Sequence, residues 1–542
     1  MANIILNNGG GNPPSLNSRT LIAKCHRKLL FAIPKAFWAI LNDYKRFYLV
    51  SRLKMCCYTL LNNAHKAQKY KIRYKNRHKK ICESKRAFRQ SLHHYRAFDK
   101  IKPQSKAWIE SSEFKAKYLD TNHPYPPLLN PDSIDYDSIP AEFAWELNLP
   151  LPPNYDLIFF SNGSSATALS ILFLEKCNVI HHIGYYPKDI YLAYYDILKQ
   201  TSKQKVCLFF WSATTNAKLD GFDKDPKHFL CSISKKVPLL FIARDPIGRL
   251  RHYLNHLGGS KYDITPLMKR FNLTCTNYEN LFYKPTYVND KSYPDFTTFE
   301  EYKSLHWAIS QSFVLDSILK HLKDNISFIH CIEFNDLKPD KVIQTLDKVI
   351  DRFGLEQPTN NDIFLNRINR NCGGLTQLPS ILYTHPKDLN HNKKENLSTL
   401  KKSDGFEFII TMPQYIDDKQ GDFIDITHEI EKDLIIDNTQ ILIIIDKQKL
   451  HSIRQNTALY NASIKFLKNY INALKKYTQD INDKLINERQ ILDYLRQHKS
   501  ARIAVKEMID NELNYIKEHH PEFIKKWKYY LEFEKMCAEL DG

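Results

Sequence analysis

The chain reads as an α/β protein: a parallel sheet with flanking helices, a basic helical arm in front and an α/β-to-helical extension behind. Three observations predict this. Short apolar runs at 156–160 (DLIFF), 205–211 (KVCLFFW), 239–243 (LLFIA) and 326–332 (ISFIHCI) alternate with stretches of helical periodicity, the pattern of strands buried on both faces. Two further runs, 406–412 (FEFIITM) and 440–446 (QILIIID), precede a tail of helical rhythm. Positive charge is concentrated at one end: residues 1–100 hold 22 Lys and Arg against Asp43, Glu83 and Asp99, while the remainder holds 56 against 57 acids.

At 542 residues, 43% of them apolar, the chain is large enough for about two to four structural units. Its 11 cysteines contain no CxxC pair. They read as thiols in a reducing compartment, which excludes a disulfide scaffold and gives no metal framework. No apolar run reaches the roughly 18 residues of a spanning helix; 29–41 (LLFAIPKAFWAIL) is interrupted by Pro34 and Lys35. The first residues lack the charged and apolar regions of a secretion signal. A cytoplasmic location is the expectation.

The elements follow in order. Residues 1–18 read as a flexible leader and 19–103 as a basic helical arm. Residues 104–153, rich in proline and aspartate (DTNHPYPPLLNPDSIDYDSIP), read as a linker wrapping the core. The α/β domain spans 154–389. Residues 390–404 (NHNKKENLSTLKKSD) read as a loop or boundary. Residues 405–542 are strands followed by a helical hairpin, in which Ile464, Leu467, Ile471, Leu474, Ile481, Leu485, Leu492 and Leu495 keep a near-heptad rhythm. Such a hairpin can fold back on its own domain or pair with another chain.

Two corners carry chemistry. In 157–175 (LIFFSNGSSATALSILFLE) an apolar strand breaks at small polar residues and resumes as a helix near Thr167. Backbone amides of Ser161, Asn162, Gly163, Ser164, Ser165 and Thr167, with the hydroxyls among them, would face an anion at the positive end of a helix dipole. The same residues also suit an ordinary strand–turn–helix corner. In 237–256 (VPLLFIARDPIGRLRHYLNH) a buried strand ends in Arg244, followed by Asp-Pro and a helix bearing Arg249, Arg251 and His252. An arginine at the carboxyl end of a parallel strand sits where open α/β sheets bind ligands, and its fork can grip two oxygens of a phosphate or sulfate. A third stretch, 326–358, contains EFNDLKPD (333–340) and DRFGL (351–355) and reads as structural.

In this order the three stretches resemble the sulfotransferase-like P-loop superfamily, from 157 to about 358. The segment from 150 to WKYYLEFEKMC (527–537) also resembles an epsilon-proteobacterial (Campylobacter/Helicobacter-type) family of unknown function, often associated with surface-polysaccharide loci. The first resemblance implies that the 161–167 loop holds the 5′-phosphosulfate of PAPS (3′-phosphoadenosine 5′-phosphosulfate). It implies that Arg244 grips the 3′-phosphate, with His252 standing where the family has serine. Arg249 would assist, and no metal is implied. The family's loop cation would align near Asn162 or Gly163, where this chain has no Lys or Arg. His181 and His182, in NVIHHIGYYPKD, stand where some members place a general base; they also suit a surface turn. Ser212, Thr214 and Thr215 follow another strand and could line the cleft.

The functional expectation is a group transferase acting on a surface glycan or lipid-linked sugar. The alternative is a catalytically inactive nucleotide-binding or scaffold protein of a polysaccharide-assembly complex, or a glycosyltransferase-associated protein. The arm, with 11 cations between Lys66 and Arg89 and with Tyr70, Tyr74 and Phe88 among them, has three readings. It can meet anionic lipid on the inner face of the cytoplasmic membrane, bind nucleic acid by charge and stacking, or be a solvated arm. The apolar-then-basic order favours the membrane surface. Full-length protein should therefore float with anionic liposomes, while residues 103–542 alone should not. If neither floats and the full chain binds oligonucleotides, the lipid expectation is wrong.

Overall fold

The computed structural model describes residues 103–542, except 185, 201, 212–225, 257–268, 276, 283–284, 288–290, 297–314, 369–372, 390–404 and 417–421. The leader, the basic arm, Ser212, Thr214 and Thr215, and the 390–404 segment lie outside the described residues. The chain falls into two compact units, Met1–Pro152 with Leu219–Ser232 and Pro153–Lys218 with Ile233–Gly542.

The first unit departs from the linker expectation for 104–153. Trp108, Ile109, Phe114 and Tyr118 form a buried cluster, and the Trp108 indole donates to the Pro127 carbonyl at 3.0 Å. A helix over Ala141–Glu146 buries Phe143 and Trp145. His228 is stacked on Tyr125, with ring centroids 4.2 Å apart, and lies 3.7 Å from the Trp145 ring. Proline density hid these aromatics, because extended prolyl backbone can still present large side chains to a core.

Among the described residues the second unit holds eleven strands: β1 Leu157–Ser161, β2 Cys207–Trp211, β3 Val237–Ala243, β4 Lys269–Phe271, β5 Ile326–Glu333, β6 Ser380–Thr384, β7 Phe406–Thr411, β8 Phe423–Asp425, β9 Ile435–Ile436, β10 Thr439–Gln440 and β11 Leu442–Asp446. The four expected strands make one parallel sheet in the order β2-β1-β3-β5. Its faces alternate by residue. Phe159, Phe209, Leu240, Ile242 and Ile332 meet the helices Thr167–Lys176 and Val342–Phe353 in a single core. On the opposite face Phe160 lies between Phe210 and Phe241, with ring centroids at 5.6 and 5.9 Å. Both faces being covered explains why these strands read as unbroken apolar runs.

A second sheet, β4-β6-β7-β11-β8, is antiparallel except for β4 beside β6. β6 and β7 flank the 390–404 segment and pair across it, so that segment joins two strands of one sheet and does not separate two domains. The helix Thr457–Asn482 buries Phe466, Leu467, Tyr470, Ile471 and Leu474 against this sheet. The heptad rhythm is thus spent within the chain, with Tyr470 stacked on Phe271 at 4.8 Å. Five further helices follow, beginning with Glu488–Gln497 and ending with Lys528–Asp541. Among the described residues no helix is long and apolar enough to cross a membrane.

Candidate functional site

The site lies at the carboxyl end of the parallel sheet. β1 stops at Ser161, and the chain turns through Ser164 (φ 70°) and Ala166 (φ 54°) before the helix starting at Thr167. Left-handed backbone at a non-glycine residue costs of order 1–3 kcal/mol, so the turn must be held from outside. The Ser161 and Thr167 hydroxyls meet at 2.6 Å, and the Ser165 amide donates to the Asn162 carbonyl at 3.2 Å. The Ser165 hydroxyl, 1% exposed, has no hydrogen-bond partner among the described residues.

Arg244 supplies the outside hold. It follows β3, directly beside β1, and its Nη1 donates to the Ser164 carbonyl. Its guanidinium lies 4.0 Å from the centroid of Phe334, a cation–π contact that shields one face of the plane. Arg249, one helical turn on and 2% exposed, reaches the same corner. With its amide oxygen facing Arg249, Asn162 accepts from both terminal guanidinium nitrogens at 3.2 Å. Burial, reinforced by the neighbouring charge of Arg244, lowers the Arg249 guanidinium to about 9; it remains a cation at neutral pH. The two corners therefore converge.

Asp245 ties this corner to the end of the chain. Its Oδ1 accepts from the Ile247 amide at 2.9 Å and caps its own helix, Pro246–Leu254. Its Oδ2 accepts from the amides of Tyr529 and Tyr530 at 3.2 and 3.3 Å. Those amides open the helix Lys528–Asp541, which has no side-chain cap from its own Trp527. Burial raises the Asp245 carboxyl, and the amide donors oppose that rise. Trp527, 1% exposed, donates its indole N–H to Glu333 at 3.1 Å, at the end of β5. Glu333 also accepts from the Asn335 amide at 2.8 Å.

The same pattern recurs twice. The helix Asn514–His519, uncapped locally, receives Asp316, which accepts from the amides of Asn514 and Tyr515 at 2.8 and 3.1 Å. Asn255, at the end of the Arg-Asp-Pro helix, exchanges two hydrogen bonds with the backbone of Ile486 at 2.7 and 3.0 Å. The C-terminal helices are thus seated on the carboxyl end of the parallel sheet. Between them lies a cavity lined by Asn162, Arg244, Arg249, Glu512, Leu513 and Trp527, with space for about one water.

Of the residues expected from the sequence, the structure brings Ser161, Asn162, Ser164, Ser165, Thr167, Arg244 and Arg249 together at one corner with Gly163. His252 lies near Arg244. Burial first, then the charge of Arg244, pushes its imidazole well below the ordinary 6.5, with His256, Arg251 and Arg367 acting in the same direction. His181 and His182 stand apart. Ile180 bridges Val206 at the outer side of β2, two strand spacings, about 10 Å, from β1 and three from β3. There the Tyr194 hydroxyl accepts from the amides of His182 and Phe209 at 3.0 and 2.7 Å and donates to the Cys207 carbonyl at 2.8 Å. That phenol fastens the turn to the sheet edge.

Sequence reasoning did not single out Asp245 as a double cap, nor Glu333, Glu512 and Trp527. The Asp-Pro pair does signal a helix start, but nothing in the chain marks partners nearly 300 residues away.

His252 and His256 have ring centroids 6.0 Å apart, and burial lowers His256 to about 4. Between pH 6.5 and about 4 the unfolded chain takes up protons that these imidazoles refuse, so stability should fall with acidification across that window. The denaturant midpoint should drop from pH 7 to pH 4.5, and His256→Gln should flatten part of that drop. An equally steep fall in the variant would contradict this.

Residues 331–540 match the model of a family described as a protein of unknown function (DUF2972). The match begins inside β5 and includes Glu333, Glu512 and Trp527, but not the 161–167 turn or Arg244. Comparison with curated proteins and with solved structures gave no match.

Proposed function

We propose that this chain is a sulfotransferase-like P-loop protein that binds a phosphate-bearing nucleotide between the 161–167 turn and Arg244. PAPS is the first donor to test, and a surface glycan or lipid-linked sugar is the acceptor class. The carrying observation is the meeting of Arg244 with Ser164 at the carboxyl end of adjacent parallel strands, where open α/β sheets receive ligands. Three features support an anion there. The helix Thr167–Lys176 directs its positive end at the turn, the Ser165 hydroxyl is available as a donor, and Arg249 adds a second cation. Transfer of a sulfuryl group places negative charge on the bridging oxygen of the donor. Without a loop cation, the guanidinium of Arg244 or Arg249 is the group that would compensate it, a role worth about 3–4 kcal/mol of barrier.

A second reading is a nucleotide-binding scaffold without turnover. It is favoured by the engagement of Arg244 with Ser164 and of Arg249 with Asn162, and by the distance of His181 and His182 from the corner. Attachment to an anionic membrane surface through residues 19–100 belongs to both readings.

Calorimetry with adenosine 3′,5′-bisphosphate separates them from neither being true. Wild type should bind, and Arg244→Ala should bind at least about thirtyfold more weakly, the loss of a charged hydrogen-bond pair. No binding by wild type removes the PAPS reading. Binding with no sulfate released from PAPS in the presence of glycan acceptors selects the scaffold.

A further inference from the structure

Glu512 is the last residue of the helix Lys499–Glu512, the end at which a helix dipole disfavours an anion. It nevertheless lines, half-buried, the cavity shared by Asn162, Arg244 and Arg249. Two guanidinium groups, Arg244 and Arg249, are buried there, and burying such cations without a counter-charge is costly. The charge of Glu512 acts on Arg249 in the stabilising direction. The remaining space holds about one water, too little for a tetrahedral oxyanion while the carboxylate is in place.

We propose that Glu512 is an internal plug: its carboxylate stands where a phosphate or sulfate group would sit beside Arg244, Arg249 and the 161–167 turn. The proposal rests on reading this corner as an anion site. A ligand must displace Glu512, and with it the stretch from Leu513 to Trp527 that closes the cavity. The fastenings that must yield are visible: Asp316 on the amides of Asn514 and Tyr515, and Glu333 on the Trp527 indole. Affinity at this site is therefore set by competition between an internal carboxylate and an external oxyanion, and whatever loosens the C-terminal helices raises it.

The test uses the full chain, with sodium phosphate or sodium sulfate compared against sodium chloride at equal ionic strength. In chloride, Glu512→Gln should melt below wild type, because the buried Arg249 guanidinium loses the charge that favours it. Phosphate or sulfate should restore the variant and bind it at least about tenfold more tightly than wild type. Glu512→Asp, which keeps the charge on a shorter stem, should fall between the two and serves if the glutamine variant does not fold. Equal phosphate affinity in wild type and both variants overturns the plug, as does an undiminished melting temperature for Glu512→Gln. The nucleotide reading fails separately. If adenosine 3′,5′-bisphosphate binds no form while phosphate still rescues Glu512→Gln, the plug stands without that nucleotide. If the nucleotide binds wild type and Glu512→Gln equally, the nucleotide reading stands without the plug.

Discussion

Two consecutive side chains, Arg244 and Asp245, hold the architecture of this protein at the carboxyl end of its parallel sheet. Arg244 reaches sideways to the turn after β1, where it holds the carbonyl of a residue in strained left-handed backbone. Asp245 divides its two oxygens between the start of its own helix and the start of the last helix in the chain. Helix starts leave four amides unsatisfied. A half-buried carboxylate that answers two starts at once gains hydrogen bonds that offset much of the cost of desolvating its charge. The 161–167 turn, the Arg-Asp-Pro helix and the C-terminal helix are thereby referenced to one dipeptide.

This arrangement explains why the extension cannot be treated as an appendage. Its helices Asn514–His519 and Lys528–Asp541 lack caps of their own and take them from Asp316 and Asp245. Trp527 finds its hydrogen-bond partner in Glu333, the last residue of β5. Nearby, Arg502 is held by Asp541 at 2.7 and 2.9 Å and donates to the carbonyls of Leu495 and Arg496, both at 2.9 Å. One arginine thus terminates one helix and fastens the end of another. The family match from 331 to 540 begins inside a strand whose neighbour, β3, lies outside it. What that segment contributes includes helices fastened to the carboxyl end of the parallel sheet, through Asp245 and Glu333.

The parallel sheet was legible because strands covered on both faces are written as unbroken apolar runs, and all four runs became its strands. The turn and Arg244 were legible for a related reason: small residues after a strand, and a cation before Asp-Pro, are local signals. The second sheet was only partly legible. β7 and β11 are strongly apolar, but β6 has only three nonpolar or aromatic residues between Ser380 and Thr384, and β8 is three residues long. Proline in 104–153 masked a packed aromatic cluster. The fastening of those helices was illegible, since its hydrogen bonds join residues that composition and periodicity treat as unrelated. Asp245 to Tyr529 spans 284 positions.

The most direct test of the central claim is hydrogen exchange on the full chain carrying Asp245→Ala. Each lost cap is worth about 0.5–2 kcal/mol. Amides in the helices Pro246–Leu254 and Lys528–Asp541 should exchange on the order of tenfold faster or more, while β1, β3 and β5 keep their protection. Uniform loosening of the whole sheet, or unchanged protection in Lys528–Asp541, would contradict the account.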